Sequence, residues 1–276
     1  MFVQTSLLNM LAFANAKFNV GLNIIEKRPD GYHNLETVFV PLKLYDVVEV
    51  VDAPATEIFI HGMDIPGSEQ DNLCLRAFDL LTADYHLAPQ QIHLLKQIPI
   101  GAGLGGGSAD AAFVLKLLNE KFTLGLTVSQ LESYASRLGA DCAFFIQNRP
   151  AFASGIGELL EPVPLDLSHY FTVLVKPAIH VSTATAYSKV VPKRPAASLK
   201  DLIQLPVEQW RAHIKNDFEE SVFAVYPEIE KIKLDLYGAG ALFALMSGSG
   251  SSVVGVFEAA VDLKELEANH QVFYNV

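Results

Sequence analysis

Residues 98–112 read IPIGAGLGGGSADAA, and five glycines crowd into this stretch: Gly101, Gly103, Gly105, Gly106 and Gly107. Its two flanks have opposite patterns. Residues 91–98 (QIHLLKQI) read as a strand, whereas Ala112, Leu115, Leu118 and Phe122 fall at helical spacing. A strand, a glycine loop and a helix N-terminus together make an anion-binding arrangement. Glycine admits positive φ and close backbone approach, successive N–H groups point one way, and the helix dipole adds positive charge.

No Gly-Lys-Ser/Thr follows the glycines, which excludes a Walker phosphate loop. Gly101, Gly103 and Gly106 do satisfy the dinucleotide spacing G-x-G-x-x-G. That loop normally opens a βαβ unit, however, and here it lies behind a run of consecutive strands. A dinucleotide-dependent oxidoreductase and a purely structural glycine turn both stay open at this point.

The stretch resembles the P-x-x-x-G-L-G-S-S-A phosphate loop of the GHMP kinases. Pro99, Gly103, Leu104, Gly105, Ser108 and Ala109 stand at the characteristic places. The resemblance implies an ATP-dependent kinase with Mg²⁺ accompanying the nucleotide. ATP would meet Pro99, Gly101, Gly103, Leu104, Gly105, Gly106, Gly107, Ser108 and Ala109, and the Ser108 hydroxyl is the one candidate for a bond to the metal.

Composition agrees with a globular enzyme. A chain of 276 residues that is 50% hydrophobic can bury one large core or two medium ones. No apolar run reaches the ~18–20 residues of a membrane span. No basic region precedes the first apolar residues, so no secretory leader is expected, and a cytoplasmic location follows. Cys74 and Cys142 read as buried thiols rather than a disulfide framework. The net charge of −11 argues against a nucleic-acid surface. The expected partner is a small molecule, bound by a monomer or homodimer.

Along the chain, residues 11–25 alternate as a strand with Phe18, Val20, Leu22 and Ile24 on one face. Lys17, Asn19 and Asn23 occupy the other, which alone would read as a solvent face. The family's A-K-x-N segment is matched by Ala16, Lys17 and Asn19. By that resemblance Lys17 is the catalytic-site lysine and Asn19 a substrate contact. Residues 28–37 read RPDGYHNLET. Pro-Asp-Gly is a turn signal, but a turn leaves Tyr32 and His33 unexplained. The string resembles a signature of those GHMP kinases whose substrate carries a cytidine diphosphate group. There the tyrosine stacks on the base and the histidine hydrogen-bonds it, roles that suit an aromatic face and an imidazole.

Residues 36–42, 47–52 and 57–61 read as further strands. Asp71 or Asn72 reads as a helix cap, and the resemblance also places Asn72 and Lys96 by the nucleotide. Residues 127–138 form the next helical pattern, ended by Gly139. Asp141 follows within L-G-A-D-C-A-F-F. A carboxylate in such apolar company needs a partner; the resemblance makes it the catalytic aspartate, the alternative being a helix-start Asp. Gly155 would lie by the substrate base, and Tyr187 stands where the family has a second aromatic to sandwich it. Residues 192–197 read as a loop, and 216–227 resemble a segment opening a family helix. Residues 244–257 (ALMSGSGSSVVGVF) read as a hairpin and match the third GHMP motif, a loop that backs onto the phosphate loop.

The implied fold is α+β in two domains. Residues 1–160 would resemble the second domain of ribosomal protein S5 and carry the ATP and catalytic residues. Residues 161–276 would be ferredoxin-like, with 270–276 a candidate strand returning to the first domain. In the implied chemistry Asp141 orients the acceptor hydroxyl and takes its proton, while Lys17 offsets charge growing in the transition state. A GHMP kinase for another alcohol is the nearer rival, against which the tyrosine and histidine of the 28–37 string argue. Two departures stand out: Ala109 replaces a second hydroxyl, and Ala14-Asn15-Ala16 replaces the commoner A-P-A.

Overall fold

The computed structural model describes residues 10–276, so the leader expectation for the first residues lies outside the described part. In chain order the elements are β1 (Leu11–Lys27), β2 (His33–Asp52), β3 (Glu57–Gly62), α1 (Leu73–Tyr85) and β4 (Gln90–Lys96). After the glycine loop come α2 (Gly106–Lys121), α3 (Val128–Leu138), the short α4 (Phe144–Gln147), β5 (Ala151–Ser154) and β6 (Leu159–Pro162). Then follow β7 (Phe171–Lys176), α5 (Thr183–Tyr187), α6 (Leu199–Leu202), α7 (Val207–His213), α8 (Glu219–Val225) and α9 (Pro227–Gly238). The chain closes with β8 (Phe243–Met246), β9 (Val253–Phe257), α10 (Lys264–Glu267) and β10 (Gln271–Tyr274).

Two compact units divide these elements. The first holds residues up to Asn15, Tyr45–Ile98 and Gly106–Gln147; the second holds Ala16–Leu44, Pro99–Gly105 and Asn148–Val276. The long strands β1 and β2, which pair with each other, each contribute to both. The sequence pattern gave two strands over 36–52, but the chain makes one unbroken strand, because nothing in Pro41-Leu42-Lys43-Leu44 turns it.

In the first unit β4 runs parallel to β3 and antiparallel to the second half of β2. Period-two alternation sends Val48, Val50, Ile92 and Leu94 inward. In the same phase lie two charged residues, Asp46 and Lys96, both buried. Helix α2 is buried nearly all round, its small residues Ala109, Ala111 and Ala112 letting it sit centrally. Thr127 caps α3 in a reciprocal capping box with Gln130.

In the second unit Thr37–Phe39 of β2 pair with β5, and β5 with β6. A separate four-stranded antiparallel sheet has the order β10-β7-β9-β8. Its core joins Val173, Val175, Val253 and Met246 to Phe218 and Val222 of the α8 region and to Ile229, Ile232 and Leu236 of α9. The final strand does not leave this sheet for the first domain: β10 pairs with β7, where Val272 and Tyr274 pack against that core.

The solvent-face reading of Lys17, Asn19 and Asn23 also fails. All three are buried, as are Phe18, Val20, Leu22 and Ile24 on the opposite face. A strand buried on both sides with polar residues on one of them must hydrogen-bond them internally.

Candidate active site

In the second unit, β1 sets Lys17 and Asn19 on one face, two residues apart. The Lys17 ammonium donates to Asn19 Oδ1 at 2.5 Å and to the Gly103 carbonyl at 3.2 Å. It also lies 5.1 Å from the centre of the Phe39 ring. Thr37 fixes the Asn19 amide: Asn19 Nδ2 donates to Thr37 Oγ1 at 2.9 Å, and that hydroxyl donates to the Gly21 carbonyl at 2.6 Å. The amide oxygen is therefore the atom left facing the ammonium.

Pro99–Gly105 threads past this pair. Gly101, Gly103 and Gly105 all have positive φ, at 62°, 77° and 70°. A Cβ on Gly103 would fall 1.9 Å from the Ser247 carbonyl oxygen. The Ser247 hydroxyl donates to the Gly103 carbonyl at 2.8 Å, and Ser252 N donates to the Ala102 carbonyl at 3.2 Å. The third motif thus backs onto the phosphate loop, as its sequence implied. Asn216 holds that motif in turn, its Nδ2 donating to the Met246 and Gly248 carbonyls at 2.8 Å each.

The 28–37 string forms a tight turn. Arg28 Nη2 bonds Asp30 at 2.7 Å, and Asp30 Oδ1 accepts from Tyr32 N at 3.1 Å. Tyr32 is left 62% exposed, whereas His33 stacks on Tyr187 with centroids 4.8 Å apart. Tyr187 meets Phe218 edge-on at 4.7 Å. Burial, then the Lys27 charge, pulls the His33 imidazole below its ordinary value and favours the neutral ring. Gly155 lies beside the string, its carbonyl accepting from Leu35 N at 2.8 Å.

In the first unit, Lys96 ends β4 between two carboxylates. Its ammonium pairs with Asp46 and, at 2.9 Å, with Asp110. Burial opposes the Lys96 charge, but Asp110 and Asp46 outweigh it and hold the ammonium above the ordinary lysine value. Burial raises Asp110 strongly, with Lys96 pulling back and Asp46 adding to the rise. Asn72 caps α1, accepting from Cys74 N at 2.9 Å. The neighbouring Leu73 comes 3.9 Å from where a Cβ on Gly107 would stand. Ser108 lies in the first turn of α2, and burial raises the Cys142 thiol to about 11. Asp141 stands in the turn between α3 and α4, directly before the buried Cys142.

Each unit therefore assembles its own share of the expected residues: Lys17, Asn19, the glycines to Gly105, Tyr32, His33, Gly155 and Tyr187 in one, and Asn72, Lys96, Gly106–Ala109 and Asp141 in the other. Sequence reasoning passed over Asp46 and Asp110. Their signal was available, since Asp46 sits in phase with Val48 and Val50 and so had to be buried. It also passed over His180, whose Nδ1 lies 2.8 Å from a Cβ position on Gly101.

Residues 72–154 match the GHMP kinases N terminal domain, and residues 198–274 match GHMP kinases C terminal. The chain is 52% identical over 268 residues to a 4-diphosphocytidyl-2-C-methyl-D-erythritol kinase of Bacteroides thetaiotaomicron, covering 96% of this chain and 98% of that protein. It is 53% identical over 262 residues to the kinase of the same name from Bacteroides fragilis, covering 94% and 96%. The crystal structure of a 4-(cytidine 5'-diphospho)-2C-methyl-D-erythritol kinase superposes with a TM-score of 0.82 at 32% identity, covering 96% of this chain and 97% of that one. With both family domains matched and the likeness running end to end, the chain belongs to the GHMP kinases, in the branch of the 4-diphosphocytidyl-2-C-methyl-D-erythritol kinases.

Proposed function

We propose that the protein transfers the γ-phosphoryl group of ATP to the 2-hydroxyl of 4-diphosphocytidyl-2-C-methyl-D-erythritol. The products are the 2-phosphate and ADP, in the non-mevalonate route to isoprenoid precursors. The observation that carries the substrate is the 28–37 string: an exposed Tyr32 beside His33, which is itself stacked on Tyr187. A kinase for a substrate without a base has no use for this aromatic group.

In the reaction the bond from γ-phosphorus to the β–γ bridging oxygen breaks, and a bond to the substrate 2-oxygen forms. Asp141 orients the hydroxyl and takes its proton. Lys17, held by Asn19 and the Gly103 carbonyl, offsets the charge spreading over the transferring group. The amides of the glycine loop and the α2 N-terminus receive the nucleotide phosphates. Asn72 and Lys96 sit on the flank of that helix start and complete the nucleotide side. Tyr32 and Tyr187 take the two faces of the cytosine, and Asn19, His33 and Gly155 contact the substrate.

Among the described residues no three acidic, imidazole or thiol groups gather as a metal cage. Mg²⁺ arriving with ATP would neutralise phosphate charge, and Ser108 is the residue that would hold it. Among the described residues no helix is long and apolar enough to cross a membrane; we place the enzyme in the cytoplasm, as monomer or homodimer.

A ³¹P NMR time course with ATP, Mg²⁺ and the cytidyl substrate tests this reading. A new phosphomonoester resonance should grow in step with ADP. ATP binding without product would move the acceptor to another small alcohol.

A further inference from the structure

Lys96, assigned above to the nucleotide side, sits in a cluster with Asp46 and Asp110, two residues for which that reading has no use. Asp46 is wholly buried, and Lys96 and Asp110 nearly so. One carboxylate oxygen of Asp46 accepts from two consecutive backbone donors, Gln97 N at 2.6 Å and Ile98 N at 2.8 Å. The other pairs with the Lys96 ammonium, which reaches on to Asp110 in the second turn of α2. Lys96 Nζ also lies 2.8 Å from where a Cβ on Gly106 would stand, and the Ile98 side chain lies 3.0 Å from the same point.

Ile98 and Gly106 are the residues on either side of Pro99–Gly105. The chain enters the phosphate loop at one and leaves it at the other, and the cluster holds both. A glycine-rich loop has many backbone states, and each N–H must face its phosphate oxygen at once. Fixing the two ends removes much of that freedom before the nucleotide arrives. The charges also have a reason to be inside: an ion pair buried this deeply is a poor source of stability compared with apolar packing, whereas it specifies a geometry.

We propose that Asp46 is a positioning residue for ATP, acting through Gln97 N, Ile98 N and Lys96 to hold the two ends of the phosphate loop together. This rests on the kinase reading above. Asp46 touches neither substrate; its effect falls on the nucleotide and spares the cytidyl acceptor.

The test compares the full-length protein with Asp46→Asn and Asp46→Ala. Asparagine keeps the volume and an oxygen for the two backbone donors but withdraws the charge from Lys96. Alanine removes both, and if it fails to fold the asparagine variant carries the result. For Asp46→Asn the KM for ATP should rise about tenfold or more. The KM for the acceptor should stay within about twofold, and kcat should fall by less. Titration calorimetry with the Mg²⁺ complex of a non-hydrolysable ATP analogue should show the same loss of affinity. Amide hydrogen exchange over residues 97–107 should speed up in the free variant. Unchanged nucleotide affinity, or an equal rise in both KM values, would overturn the positioning role while leaving the kinase intact. No analogue binding by the unmodified protein would overturn both.

Discussion

The imidazole of His33 lies over the ring of Tyr187, centroids 4.8 Å apart and planes inclined by 29°. The contact joins the string after β1 to helix α5, two segments far apart in sequence. It also covers one face of the imidazole and leaves its edge to meet a ligand. Tyr187→Ala should therefore raise the KM for the cytidyl substrate about tenfold, from the loss of stacking energy. The KM for ATP should not follow, and Tyr187→Phe should restore most of the loss. Steady-state kinetics with each substrate varied in turn checks this, with a melting curve beside it because Tyr187 also packs on the core.

The same imidazole sets a pH dependence. Burial and Lys27 lower its folded value below 6.5, so the folded protein favours the neutral ring. A lowered folded value contributes stability above the unfolded value, which is lost as pH falls through the folded one. The KM for the acceptor should accordingly rise as the solution is made acid enough to protonate the ring, which takes lower pH than for an ordinary imidazole. His33→Asn should remove that acid limb from the profile of KM against pH.

Gly103 admits no side chain. Its φ of 77° and the Ser247 oxygen 1.9 Å from the Cβ position both forbid one. Gly103→Ala should cost about 2 kcal/mol in backbone strain and displacement. It should lower kcat/KM by about 100-fold, since the loop donors move out of place. Gly238→Ala, far from the loop in α9, is the control: nothing lies within 4 Å of its Cβ position, and its φ is not in the left-handed region. Thermal melting and initial rates on both variants measure the contrast.

Thr37→Val keeps the shape of the side chain and removes the hydroxyl between Asn19 and Gly21. Asn19 Nδ2 is then a buried donor with its acceptor gone, at a cost of about 1–3 kcal/mol. The amide is also free to turn its NH₂ group towards Lys17. The turnover number should fall about tenfold with little change in either KM, and Thr37→Ser should recover it.

Much of the site was legible because its backbone demands are local. Positive φ at Gly101, Gly103 and Gly105 writes itself as glycine, and the turn at Asp30-Gly31 as Pro-Asp-Gly. The Asp71-Asn72 pair and the helical pattern from residue 127 marked the starts of α1 and α3, where Asn72 and Thr127 prove to be the caps. What could not be read was burial on both sides of β1, because Lys17, Asn19 and Asn23 alternate just as a wetted face would. Their partners, Thr37, Gly103 and Ser247, come from distant segments that only the fold assembles. Asp46 was missed differently: its in-phase spacing with Val48 and Val50 marks it as inward, but the lysine that makes this tolerable lies 50 residues on.

The buried trio at 46, 96 and 110 also bears on how such sequences can change. Removing the lysine leaves two carboxylates facing each other in the interior, and removing Asp46 strips two backbone donors of their acceptor. Each single step passes through a strained intermediate, so descendants of this chain should inherit the three residues as a block or exchange them together. A graft that carries the glycine loop from this protein into a relative must bring Asp46 along, from a strand that the graft boundaries would otherwise leave behind.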